Sequence, residues 1–265
     1  MTHAFYEKID KLWLPQQLSQ SPWNPNHQSG VAVAGLMAHS IETHPLQARL
    51  DISRLTLSLL CPVPMKEVEI KCQTIREGSR IAMVEAQLLA NGKVCAHALG
   101  LKARSAQTPA SDLPIGDFPP YKLAPERPLR KRDINRSGLE VRLISGGLAE
   151  LGPGKAWLSP KAPIASDVPM SPVALAAMAA DYSGAIGSIL DCRVWSFANL
   201  DLSIHFVRPP SELQTLVDAE TQSAGNGHAI GNSRLFDSHG LFAHAHQTLF
   251  VEGLDMAVSQ KEATT

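Results

Sequence analysis

The chain has 265 residues, 44% of them hydrophobic, enough for one large domain or two small ones with substantial cores. A formal net charge of −1 and a pI near 6.8 exclude the overall positive field that would draw the protein to nucleic acid or to an anionic membrane, and point to a small, locally bound ligand. No stretch approaches the roughly eighteen apolar residues of a membrane span, and Met1 to Leu14 carries Glu7, Asp10 and lysines in place of the apolar run of a signal peptide, so a soluble cytoplasmic protein is expected.

Along the chain, the first element is an Ala/Gly-rich apolar helix over Gly30 to Glu42, and the next a strand from Arg54 that ends in proline at Pro64. Asn91-Gly92 then marks a tight hairpin turn. Cys61, Cys72, Cys95 and Cys192 are far apart, show neither a C-x-x-C pair nor Cys/His zinc spacing, and read as free buried thiols. From 104 to 135 the periodic pattern gives way to Pro109, Pro114, Pro119, Pro120, Pro125 and Pro128, the composition of a linker. It separates an N-terminal repeat over 1–103 from a C-terminal repeat over 136–255, with a tail at 256–265.

The second half repeats the order of signals: an apolar helix over Pro172 to Leu190, a strand over Asn199 to Pro210 and a turn at Asp237 to Gly240. Pro62 matches Pro209 and Gly92 matches Gly240 at one displacement of about 147 residues, the mark of a duplicated unit. Ser171 is placed to cap the second helix and Pro172 to occupy its first position. The helix then reads Val-Ala-Leu-Ala-Ala-Met-Ala-Ala, apolar on every side, and a helix apolar all round is buried all round. Among antiparallel strands it must be wrapped by a curved sheet. The expected class is α+β, two tandem repeats of a curved antiparallel sheet around a central helix.

The stretch Ala198-Asn-Leu-Asp-Leu-Ser-Ile-His-Phe-Val-Arg-Pro-Pro210, followed by Leu235-Phe-Asp-Ser-His-Gly-Leu-Phe-Ala243 and Gln247, resembles the C-terminal half of double hotdog acyl-CoA thioesterases of the medium-chain, type II group. Arg54-Leu-Thr-Leu-Ser-Leu-Leu-Cys-Pro-Val-Pro64 looks like the matching strand of their first half. The resemblance implies a double hotdog fold and hydrolysis of an acyl-CoA substrate, with no cofactor and no metal.

Two polar residues in apolar rows carry the candidate chemistry. Asp181 is the only ionisable side chain between Pro172 and Leu190, and an unpartnered carboxylate there costs several kcal/mol or takes up a proton. A working site and a structural Asp, capping a loop or paired with Arg208, are the two readings; perturbed carboxylates concentrate at working sites. Gln247 shares its strand face with Leu241, Ala243, Ala245, Leu249 and Val251, whereas His244, His246 and Thr248 point the other way. A buried amide needs a polar partner, for which Asp181 is a candidate.

In the thioesterases this chain resembles, an Asp on the hotdog helix, a Gln on a late strand and a Thr or Ser at a strand start orient the attacking water, and these positions fall on Asp181, Gln247 and Asn199. Asn199 departs from the pattern, though its amide can orient a water. Strict alternation also sets it on the face opposite the apolar Leu200, Leu202 and Ile204, so that only a bulge or a strand start turns it inward. Backbone N–H groups of Gly30 and Val31 at a helix N-terminus are the candidate donors to the carbonyl oxygen, and Ala174, Ala177 and Gly184 would leave room for an acyl chain beside the helix.

The first half has His39 in place of Asp181 and Leu99 in place of Gln247, so it lacks the constellation; His39 is either a second base or a core histidine. Arg127, Arg130, Lys131 and Arg132 read as a solvated basic face or as contacts to coenzyme A phosphates. His239, His244 and His246 lack a carboxylate or cysteine at ligand spacing. Asn24-Pro25-Asn26-His27 resembles part of the hotdog hydratase motif without its Gly-Asp. A non-catalytic acyl-CoA-binding protein is the main rival function, favoured by the missing hydroxyl at 199, with a hydratase the third. A duplicated chain already resembles a hotdog dimer, and its exposed sheet faces suggest a homo-oligomer, a dimer of double hotdogs.

Overall fold

The computed structural model describes residues 4–129 and 138–254. Its first half comprises β1 (Tyr6–Ile9), β2 (Leu12–Pro15), α1 (Gly30–Glu42), β3 (Asp51–Leu59), β4 (Val68–Glu77), β5 (Ile81–Ala90) and β6 (Lys93–Ala103). The second comprises β7 (Leu139–Ser145), β8 (Gly154–Pro160), α2 (Pro172–Asp181), α3 (Ser183–Ile186), β9 (Trp195–Asn199), β10 (Asp201–Phe206), β11 (Thr215–Ser223), β12 (His228–Asp237) and β13 (Gly240–Gly253).

The strands form one antiparallel sheet in the order β1-β2-β4-β5-β6-β3-β10-β13-β12-β11-β8-β7, with β9 also paired to β13. Read inward from its two ends, the sheet follows the same order twice. The halves join where β3 pairs β10, from Asp201 opposite Ser58 to His205 opposite Arg54. Each half therefore curls around its own helix: α1 packs on β3, β4, β5 and β6, and α2 on β8, β10, β11, β12 and β13. This is the double hotdog. No helix among the described residues is long and apolar enough to cross a membrane.

Both helices begin as their sequences require, Ser29 Oγ accepting from Ala32 N and Ser171 Oγ from Ala174 N, with Pro172 in the first turn. They lie antiparallel against each other. A Cβ at Gly35 would stand 2.6 Å from Met178 Cγ, one at Gly30 would stand 3.0 Å from the Asp181 carboxylate oxygens, and Ser171 Oγ donates to Glu42 Oε2 at 2.5 Å. Small residues at this contact let the helices approach, and Ala174 and Ala177 are fully buried in the shared core.

The expected helix over Pro172 to Leu190 is shorter and broken. It stops at Asp181, and Tyr182 turns before α3 adds a single turn. Tyr182 N donates to Ala179 O at 3.1 Å, a tightened last turn, and Asn199 Nδ2 supplies the donor that Asp181 O would otherwise lack, at 3.1 Å. The first-half strand likewise ends at Leu59, ahead of Pro62 and Pro64. The strand expected over Asn199 to Pro210 is divided at Leu200 and ends at Phe206.

Segment 104–129 contains no strand but docks on the second half. Phe118 stacks edge-on against Trp157 and Phe236 at 5.7 and 5.1 Å, and Trp157 Nε1 donates to Pro119 O at 2.8 Å. Arg130, Lys131 and Arg132 and the 256–265 tail lie outside the described residues.

Backbone contact fixes α3 to β8, where a Cβ at Gly154 would fall 2.1 Å from Ile186 O. We expect Gly154→Ala to cost about 1–3 kcal/mol or more in urea unfolding, because neither backbone can yield as a side-chain tip would.

Candidate active site

Asp181 ends α2 at the start of α1, where Asn199 Nδ2 donates to its Oδ1 at 2.7 Å. What turns Asn199 inward is a bulge at Leu200. Asn199 faces Leu249 and Ser203 faces His246, so β9 and β10 use one residue more than β13 between these pairs. Leu200 N still bonds Thr248 O at 2.9 Å, and Asp201 Oδ1 accepts from Thr248 N at 2.6 Å, which fixes the kink. Both hydrogens of the Asn199 amide are spent on Asp181, leaving Asn199 Oδ1 as an acceptor. Arg208 is engaged elsewhere, bound through both terminal nitrogens to Asp237, so it is not the partner of Asp181.

Gln247 is 2% exposed and lies between glycines of two elements. A Cβ at Gly184, three residues past Asp181, would meet its Nε2 at 2.7 Å, and one at Gly231, its cross-strand partner, would meet its Cγ at 2.9 Å. Neither Oε1 nor Nε2 makes a hydrogen bond among the described residues, and none joins Gln247 to Asp181. A buried amide in that state costs about 1–3 kcal/mol, so the slot suits a polar occupant.

The first turn of α1 completes the geometry. Ser29 Oγ serves Ala32 N, while the N–H groups of Gly30 and Val31 belong to the helix start that has no intrahelical acceptor. These donors and the positive end of the helix lie beside the Asp181 carboxylate, against which Gly30 packs without a side chain. Burial nevertheless dominates and pushes the carboxyl of Asp181 up to about 6, against the lowering effect of the Asn199 bond.

A cavity of about 740 Å³ is lined by Trp23, Leu129, Leu143, Leu148 and Cys192, with Arg127 and Glu150 among its polar residues. Trp23 stacks edge-on against Phe197 at 5.6 Å, and Phe197 shares the inner face of β9 with Asn199. Of this lining the sequence pointed to Arg127, as a candidate phosphate contact, and to Cys192, as a free thiol, but not to the apolar residues, although an isolated Trp23 within the turn-forming Ser-Pro-Trp-Asn-Pro-Asn run was a signal. Asn24 itself builds the turn, its Oδ1 accepting from Asn26 N at 2.9 Å. Arg127 faces Glu150 at 3.7 Å.

In the first half, the position matching Asp181 holds His39, half-buried beside Trp13 at 6.1 Å, where burial first and Lys8 second lower its pKa. His244 and His246 are exposed on the outer face, His246 Nδ1 lying 2.8 Å from Asn232 Oδ1.

Residues 116–251 match the family description of the acyl-CoA thioesterase C-terminal domain, and residues 19–103 that of its N-terminal domain. The chain belongs to the acyl-CoA thioesterase family. It is a thioester hydrolase with the hotdog architecture seen in solved structures of low identity. A hot dog fold protein of unknown function from Alicyclobacillus acidocaldarius superposes with a TM-score of 0.74 at 17% identity, over 95% of this chain and 99% of that one. An acyl-CoA thioesterase II of Mycobacterium marinum gives 0.66 at 16%, over 89% and 97%. A TesB protein of Mycobacterium avium subspecies paratuberculosis gives 0.65 at 17%, over 93% and 95%. No curated protein sequence matches the enzyme.

The raised pKa of Asp181 has a thermodynamic sign. Between the ordinary carboxylate range and about pH 6 the folded enzyme holds a proton that the unfolded chain has released, so this group makes stability fall as pH rises through that window. Asp181→Asn should therefore raise unfolding free energy at pH 7 by about 1–3 kcal/mol, with the gain vanishing below about pH 4. Equal stability of the two proteins at pH 7 would contradict the assigned burial.

Proposed function

We propose that the enzyme hydrolyses short- or medium-chain acyl-CoA thioesters in one step, with Asp181 as general base for a water oriented by Gln247 and Asn199. The observation that carries this reading is the Gln247 amide, buried with no hydrogen bond to either polar atom among the described residues and packed against Gly184, three residues past a carboxylate whose pKa is raised to about 6. A base poised there is ionised at neutral pH and still basic enough to accept a proton.

Asp181 takes a proton from the water as its oxygen bonds to the thioester carbonyl carbon. The resulting oxyanion is held by the N–H groups of Gly30 and Val31, and collapse of the tetrahedral species expels the coenzyme A sulfur with the proton returned. Asn199 does what a hydroxyl would do at this position: it donates to Asp181 and has an acceptor left for the water. That pairing favours hydrolysis over mere acyl binding. The acyl chain is assigned to the cavity of Trp23, Leu143 and Leu148, whose volume of about 740 Å³ lies in the range of ligand pockets. All these groups come from one chain, so the step requires no second copy.

Release of free thiol from a panel of acyl-CoA esters measures the proposal. Asp181→Ala should abolish turnover, and Gln247→Ala should lower kcat by about 100-fold; wild-type turnover in Asp181→Ala would remove the general base. In the wild type, kcat/KM should fall tenfold per pH unit below about 6, where Asp181 takes up its proton. Leu148→Trp should shift preference to shorter acyl chains by raising KM for longer ones, with kcat for the shortest ester retained.

A further inference from the structure

We propose that Cys61 and Cys95 form a disulfide site within the chain, oxidised by low-molecular-weight disulfides such as glutathione disulfide, that braces the segment carrying the start of α1. The β3–β6 ladder runs regularly as far as Leu59 opposite Ala96. Immediately beyond, Leu60 N and Cys61 N both donate to Cys95 O, at 2.9 and 3.3 Å. Two residues set against one is the pattern of a bulge, and it lays Cys61 alongside Cys95.

The side chains meet as well as the backbones. Cys95 is buried in the main core with its thiol donating to Lys93 O at 3.6 Å, half-buried Cys61 packs against the same core, and the two thiols are near enough to perturb each other. Residues opposed in an antiparallel pair have Cα atoms about 4.5–5.5 Å apart, within the span of about 4.4–6.8 Å that a disulfide bridges without backbone movement. Cys72 on β4 and Cys192 beyond α3 stand elsewhere in the fold and serve as internal controls.

The exchange balances in two steps. The Cys61 thiolate attacks one sulfur of glutathione disulfide and expels one glutathione thiolate; the Cys95 thiolate then attacks the Cys61 sulfur of the mixed disulfide and expels the second. The two protons released by the cysteines end on the two glutathione molecules, which are reduced as the protein pair is oxidised. Burial pushes the Cys95 thiol up to about 11, so the second step sets the rate and quickens with pH.

What the bond would brace follows from the next residues. Val63 O accepts from Gln28 N and Pro64 O from Gln28 Nε2, both at 2.8 Å, and Gln28 is followed by Ser29, the cap of α1. Closing the loop between Cys61 and Cys95 removes freedom from the unfolded chain and fixes this support to β6. The site is independent of the hydrolytic reading.

The full chain is incubated with glutathione disulfide between pH 7 and 9, digested without reductant and mapped by mass spectrometry. The expected result is one peptide pair joined through Cys61 and Cys95 with the loss of two hydrogens. Closure should speed up about tenfold per pH unit, and the thermal midpoint should rise by about 10 °C and return on reduction. Cys72→Ser and Cys192→Ser should retain link and shift, whereas Cys61→Ser and Cys95→Ser should each lose both. Should Cys95→Ser fail to fold, the half-exposed Cys61→Ser decides alone. Persistence of only the Cys61–glutathione mixed disulfide, a link through Cys72 or Cys192, or a link without thermal shift overturns the proposal.

Discussion

The antiparallel contact between α1 and α2 is the constraint on which the rest of the structure depends. A helix apolar on all sides can be stable only if every side is covered, and the sheet covers only part of each one. The remaining side of α1 is covered by α2, at a separation that Gly35 opposite Met178 and Gly30 opposite Asp181 make possible. Because the helices run in opposite directions, this packing sets the positive end of one beside the last turn of the other. The proposed site is therefore assembled by the same contact that closes the core.

That contact also explains why Asp181 is tolerated. Its position is unfavourable for a charge, as the upward displacement of its pKa by burial shows. Three features offset the burden: the Asn199 amide, the nearby start of α1 and a protonation equilibrium that remains accessible near neutrality. Gln247 is the complementary case, a neutral amide whose buried atoms have no bond among the described residues. Stability is spent at both positions, the pattern expected where chemistry rather than packing selects the side chain.

Much of this was legible in the sequence because it is periodic. The duplicated landmarks and the all-round apolar helix led to two repeats of an antiparallel sheet around a helix, and Asp181 and Gln247 were conspicuous as single polar residues in apolar rows. Alternation failed at Asn199 because periodicity is a property of regular strands, whereas the bulge at Leu200 depends on how many residues β13 offers opposite it. The break at Tyr182 was hidden for a related reason: its last carbonyl is satisfied by a side chain from a later strand. The cavity draws on the loop around Trp23, the end of the linker, β7 with the β7–β8 turn, and Cys192 ahead of β9, four stretches that no local pattern connects.

The pairing of β3 with β10 has a consequence for how such a chain can diverge. In a homodimer built from one repeat, each substitution occurs twice, so a change that helps one site is imposed on its twin. A tandem chain is free of that symmetry. His39 stands where Asp181 stands in the other repeat, and the strand register puts Gly100 rather than Leu99 at the place of Gln247, yet the first repeat still contributes the helix start beside the carboxylate. In the proposed mechanism the second repeat supplies the base and the amides and the first repeat the helix start, so neither half alone contains the whole proposed site.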